Sequence, residues 1–183
     1  MRTHIVAIDP GTAYCGYAVL TPPATVVVSG TWIPRRSLSQ LDCHLWLLSK
    51  CQDLLRTWHA DLLVYEEFLW PREQGTVANT QRYIALERFL GGLQALALCP
   101  PHPVLMPLRP GQWHTSLGIL GSRRTKEAVA QAVNIRLGTA LTGDFYSNHV
   151  ADALGIALAA VFCIGRLSTQ SSLPDTASGA TGT

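Results

Sequence analysis

The sequence predicts an α/β protein, a sheet of mixed direction with helices on both faces, and three observations carry that expectation. Residues 5–8 and 62–65 are short, nearly all-apolar runs, the composition of strands buried on both sides. The first three β-rich runs follow one another across short, turn-rich connections, as antiparallel neighbours do. A segment of helical periodicity then separates the third run from the fourth, which is the crossover that a parallel pair requires. Three strands, helix, strand, helix, strand and then helices is the resulting order.

The first strand is Ile5-Val6-Ala7-Ile8, ended by Asp9 and broken by Pro10-Gly11. A second β-rich run holding Gly16 returns beside it as a hairpin. Thr21-Pro22-Pro23-Ala24 marks a turn before a third run, Thr25–Trp32. Ser37 or Ser39 caps a helix whose Leu41, Leu45, Leu48, Leu55 and Trp58 recur at helical spacing to about residue 59. Residues 61–66 form a fourth strand, again mostly apolar and again ending on an acid, Glu66. Residues 67–77 are irregular, with Trp70-Pro71 and Gly75 as breakers. A helix over residues 79–98 follows, with a Gly91-Gly92 step, and Pro100, Pro101 and Pro103 stop it. Residues 104–106 make a short fifth strand, and residues 109–117 a short helix. Ser122 is expected to cap a helix over residues 123–137, and Ser147 or Asn148 to open a last helix reaching about residue 166. The stretch from Ser168 on is mostly Ser, Thr, Gly, Ala and Pro, so the chain divides into one domain, residues 1–167, and a disordered tail, 168–183.

Composition narrows the classes of function. The 183 residues suffice for one core, and 48% hydrophobic against 14% charged residues is the balance of a folded globular chain. A net charge of +2 permits a nucleic-acid partner only if the basic residues cluster. Cys15, Cys43, Cys51, Cys99 and Cys163 are odd in number, with no CxxC spacing, which suits thiols in a reducing cytoplasm rather than a disulfide framework or a zinc site. No signal peptide is visible. The most apolar run, residues 153–164, is short of the about 20 residues that cross a bilayer, so a cytoplasmic protein with no membrane partner is expected.

The acids point to chemistry. Asp9 and Glu66 each end a buried strand, and an unpaired carboxylate there is costly to desolvate. The last helix adds His149 and Asp152, three residues apart and so on one face. Three acids and an imidazole converging at a sheet end suit hard divalent cations. A pair of such ions stabilises both the attacking and the leaving oxygen of a phosphodiester displacement. Taken singly, each residue also has an ordinary explanation as a turn cap, a helix-start Asp or an exposed His. Arg123, Arg124 and Lys126 cluster at a helix start whose amides also favour phosphate. Beside Glu66, Phe68, Leu69, Trp70 and Arg72 bring apolar bulk and charge suited to stacking on nucleic-acid bases, or else to the core.

Read together, these segments resemble the RuvC family of Holliday junction resolvases. The motifs are Ile8-Asp9-Pro10-Gly11-Thr12 with Gly16-Tyr17-Ala18-Val19, then Val64-Tyr65-Glu66-Glu67, Gly121-Ser122 with Lys126, and His149-Val150-Ala151-Asp152-Ala153-Leu154. They span residues 3–165 in the family's order and spacing. The resemblance implies an RNase H-like fold, a homodimer built on the helix over residues 79–98, and an endonuclease that resolves four-way DNA junctions by paired, symmetric incision. It implies Mg²⁺ or Mn²⁺, two ions per active site, held by Asp9, Glu66, His149 and Asp152. His149 falls where most members carry another Asp, although a His is known in some, and imidazole also binds Mn²⁺. Lys126 matches a lysine that the family uses at the scissile phosphate. A second basic position near Gln112-Trp113-His114 has no lysine here, and His114 is the candidate to replace it. A nuclease of the same fold acting on other nucleic acids, or an inactive nucleic-acid-binding module, remains as an alternative. An actin-like ATPase, suggested by Asp9-Pro10-Gly11-Thr12, needs two such domains, which this chain cannot supply.

Overall fold

Five strands form the sheet: β1 Ile5–Asp9, β2 Cys15–Thr21, β3 Thr25–Trp32, β4 Leu62–Glu66 and β5 Val104–Leu108. Their spatial order is β3-β2-β1-β4-β5. Pairing is antiparallel between β1 and β2 and between β2 and β3, and parallel from β1 to β4 and from β4 to β5. The mixed direction expected from hairpins followed by crossovers is therefore present. The computed structural model describes residues 3–68, 77–121, 125–142 and 144–170.

Among the described residues five helices cover the sheet: α1 Gln40–Thr57, α2 Val77–Leu96, α3 Pro110–Ser116, α4 Lys126–Leu137 and α5 Phe145–Gln170. The strand period of two divides the core between the faces. Ile5 and Ala7 of β1, with Leu62 and Val64 of β4, pack with Trp113, Val129, Val133 and Ala151–Ala160 on the side of α3, α4 and α5. Val6, Ile8, Leu63 and Tyr65 face the other way, against Leu47, Cys51, Leu55, Phe89 and Leu93 of α1 and α2. By the same alternation Asp9 and Glu66 belong to the α5 side, and the register Ile8↔Tyr65 sets them at the same end of adjacent strands.

Ser39, one of the two expected caps, caps α1, its side chain accepting from the Asp42 amide. Other boundaries differ from the sequence expectation. Strand β5 runs through Pro107 because it is an edge strand, where a missing N–H disrupts no ladder. Helix α2 is shifted two residues towards the N-terminus of its expected span. Thr125, not Ser122, caps α4, accepting from the Ala128 amide at 3.2 Å. Residue 122 lies outside the described residues. Helix α5 starts at Phe145 rather than at Ser147 or Asn148, because Asp144 accepts from the Ser147 amide at 2.8 Å. It continues to Gln170, so residues 168–170, expected in the tail, are helical, and residues 171–183 lie outside the described residues.

One window of α5, Ser147–Gly165, is long and apolar enough to cross a membrane by length and composition. Ala151–Ala160 is buried in an unbroken run, however, and α5 packs on β1, β2, β3 and β4. An all-round apolar helix is what such a central position requires.

Candidate active site

Gly16 decides how closely α5 approaches the sheet. A Cβ there would sit 2.1 Å from the His149 carbonyl oxygen and 3.1 Å from Asp9 Cβ. With only hydrogen in that place, the first turns of α5 lie directly on β2, beside the end of β1. His149 Nδ1 consequently stands 2.8 Å from Asp9 Oδ2. An ionised carboxylate only accepts, so Nδ1 carries the proton and Nε2 keeps its lone pair when the ring is neutral. Tyr14, in the loop after β1, stacks on the His149 ring at 5.7 Å between centroids and 9° between planes.

The other two acids are met by different donors. Glu66 Oε2 accepts from the Trp113 indole N–H at 2.7 Å, and Lys126, the first residue of α4, donates to Asp152 Oδ2. Asp152 is buried, while much of the Lys126 side chain is exposed. All of these side chains line one cavity of about 670 Å³ at the end of the sheet, joined from the α2 side by Arg82 and Leu86.

Charge is crowded in this cavity. Burial, reinforced by the charge of Asp9, pushes the Glu66 carboxyl up to about 7, against the Trp113 hydrogen bond and Lys126, which lower it. The same two causes in the same order raise Asp152 to about 6, opposed by Lys126 and His149. Burial works against the Lys126 charge, yet Asp152, Asp9 and Glu66 together hold its pKa above the ordinary lysine value. Among the described residues no three His, Cys, Asp or Glu side chains stand in ready-made metal-binding geometry. Each acid instead spends one oxygen on a protein donor.

No family model matches the chain, and no curated protein does. Solved structures do match. RuvC of T. thermophilus in complex with a Holliday junction substrate superposes with a TM-score of 0.69 at 19% identity, over 91% of this chain and 98% of that one. The Thermus thermophilus RuvC structure gives 0.67 at 20% identity, over 91% and 98%. The Holliday junction resolvase of yeast mitochondria gives 0.58 at 13% identity, over 93% and 85%. The fold is that of the RuvC resolvases.

On this RuvC fold the cavity unites Asp9, Glu66, His149, Asp152 and Lys126, all five of the expected catalytic residues. His114 also lines it and stacks on Trp113 at 3.8 Å. Glu67, by contrast, turns outward to an ion pair with Arg109 at 3.1 Å. Phe68 packs at the edge of the α1–α2 core, 5.1 Å from the Tyr83 ring. Leu69, Trp70, Arg72, Arg123 and Arg124, expected to contact nucleic acid, lie outside the described residues. Gly92, half of the step expected to admit a partner helix, faces Leu48 of α1, whereas a Cβ on Gly91 would meet nothing within 4 Å.

Trp113, Arg82 and Tyr14 are cavity residues that the sequence reading did not single out. An aromatic in a short helix reads as core, and an Arg on an amphipathic helix reads as solvated. For Trp113 the sequence offered one further signal, Gly155, a small residue one turn beyond Asp152 on the same stripe of α5.

Proposed function

We propose that this chain is a RuvC-type endonuclease that resolves four-way DNA junctions as a homodimer, by paired and symmetric phosphodiester incision dependent on Mg²⁺ or Mn²⁺. One observation carries the reading: Asp9, Glu66 and Asp152 converge with His149 and Lys126 in one cavity at the end of a RuvC-like sheet. The donor set fits divalent cations. Burial, and then the charge of Asp9, raises the pKa of both Glu66 and Asp152, and a hard dication stabilises such crowded carboxylates through oxygen ligands. Asp9, Glu66 and Asp152 would hold the ions, two per site, with His149 contributing through Nε2. Bound there, the ions supply charge for the attacking and leaving oxygens of the displacement.

The chain's own groups divide the remaining work. Asp9 holds the His149 ring by Nδ1 and fixes its tautomer, a carboxylate–imidazole pairing of the kind that orients metal-binding histidines. Lys126 lines the cavity with the acids and would meet a phosphate there, and Arg82 lines the same cavity from α2, a second cation in a sequence that lacks the family's second lysine. Arg82 binds phosphate in this reading through its planar fork of donors.

The test offers a synthetic four-way junction, a linear duplex and an RNA–DNA hybrid to the protein, each with Mg²⁺, Mn²⁺ or EDTA. Paired nicks in opposing strands of the junction, lost in EDTA, are expected. Cleavage of the hybrid alone identifies the nuclease of other specificity, and binding without cleavage in either metal identifies an inactive module.

A further inference from the structure

We propose that Trp113 is the positioning residue for Glu66, and that Gly155 is the gap in α5 that lets its indole reach the site. The indole is almost completely enclosed, 2% exposed, yet its one polar atom ends on Glu66 Oε2 at 2.7 Å. A Cβ on Gly155 would stand 3.0 Å from the indole Cζ3 and 3.3 Å from Cε3, closer than packed neighbours comfortably sit. Gly155 lies three residues after Asp152, so one face of α5 presents a carboxylate and then the notch that seats the indole.

Helix α3 is itself fixed to the acids. Pro110 stands in its first turn, and the Arg109 amide donates to Gln112 Oε1 at 2.8 Å, closing the helix start. Arg109 then pairs with Glu67. The two acids at the end of β4 are therefore both held by α3, Glu67 at the surface and Glu66 inside. An indole donates and never accepts or titrates, so the donor that faces Oε2 is the same at every pH. It commits one oxygen of Glu66 to the protein and leaves Oε1 for a ligand in the cavity.

The proposal rests on the metal-dependent reading, and two readouts separate their fates. In ¹H–¹⁵N spectra the Trp113 indole resonance, identified by its absence from Trp113→Phe, should move on substitution of Glu66→Gln and again on Mg²⁺ titration. Trp113→Phe keeps an aromatic ring and loses the N–H. Its Mn²⁺ affinity, read from the free-ion electron paramagnetic resonance signal, should fall about 10–100-fold, as losses of a ligand's supporting partner do. Gly155→Ala, which crowds the ring, should weaken Mn²⁺ in the same direction. An indole resonance indifferent to Glu66→Gln overturns the proposal, as does a folded Trp113→Phe with wild-type Mn²⁺ affinity. If the wild-type protein binds no Mn²⁺ at all, the metal reading fails, while the response to Glu66→Gln still decides the role of Trp113.

Discussion

Asp9, Glu66 and Asp152 share a cavity but not an environment, because an imidazole, an indole and an ammonium each take one oxygen. That difference sets what each substitution should do. In Asp9→Asn the amide oxygen can still accept from His149 Nδ1, so fold and junction binding should persist. Cleavage should fall about 10²-fold or more, because an amide is a poor ligand for a hard cation and the lost electrostatic stabilisation is large. Rates at saturating Mg²⁺ that match the wild type would remove Asp9 from the site. His149→Asp replaces the donor to Asp9 by a second negative charge. The variant should melt lower in EDTA, gain more from Mg²⁺ than the wild type does, and shift its activity ratio from Mn²⁺ towards Mg²⁺. Equal metal preference and equal gain in Tm would show that His149 is no ligand. The acids were legible in the sequence only jointly, because each alone has an ordinary explanation and two strand-end carboxylates with a third on an apolar helix do not share one. Trp113 and Arg82 were not, since the same side chains serve equally well as core and as solvated surface.

At the scale of elements, the alternation of strand side chains and the closeness of one helix do most of the positioning. Asp9 and Glu66 face α5 because Ile5, Ala7, Leu62 and Val64 do, and a one-residue slip would turn both acids to the α1–α2 side. The sheet order was readable from connection types, since hairpins and crossovers leave different signatures. The ends of helices were less so: Thr125 and Asp144 won the caps from Ser122 and Ser147, and a sequence does not say which of two nearby capping residues the packing will select. Gly16 carries the approach of α5 to β2. Gly16→Ala would drive a methyl into the His149 carbonyl, a backbone atom that cannot rotate away. Overpacking of that kind costs about 1–3 kcal/mol, and each kcal/mol shifts Tm by about 2–4 °C in a chain of this size. The variant should lose stability and activity together, and a variant that melts and cuts like the wild type would mean that α5 does not sit on β2 in solution.

At the scale of the whole molecule, the crowded acids make folding and metal binding oppose each other through pH. Glu66 moves from an ordinary 4.5 to about 7 in the folded chain, and Asp152 from 3.8 to about 6, both chiefly through burial and then the charge of Asp9. Between those values the folded protein binds more protons than the unfolded one, so its stability falls as pH rises through them. For Glu66 the loss is on the order of 3 kcal/mol, complete above about pH 7. His44 acts in the opposite sense, because burial and then Arg88 lower its pKa and the protein gains stability as this ring loses its proton. The informative quantity is therefore the difference between the wild type and Glu66→Gln, not the bare slope. In EDTA, denaturant titrations should show the wild type losing stability relative to Glu66→Gln from about pH 5 to pH 7, with the difference level beyond. Mg²⁺ at a hundredfold excess over its dissociation constant should return about 2.7 kcal/mol to the wild type at pH 8. It should return little at pH 5, where the acids hold protons that the cation must displace. A wild type no less stable than Glu66→Gln at pH 8 in EDTA, or equally stabilised by Mg²⁺ at both pH values, would show that these carboxyls do not meet in the folded protein as a shared site.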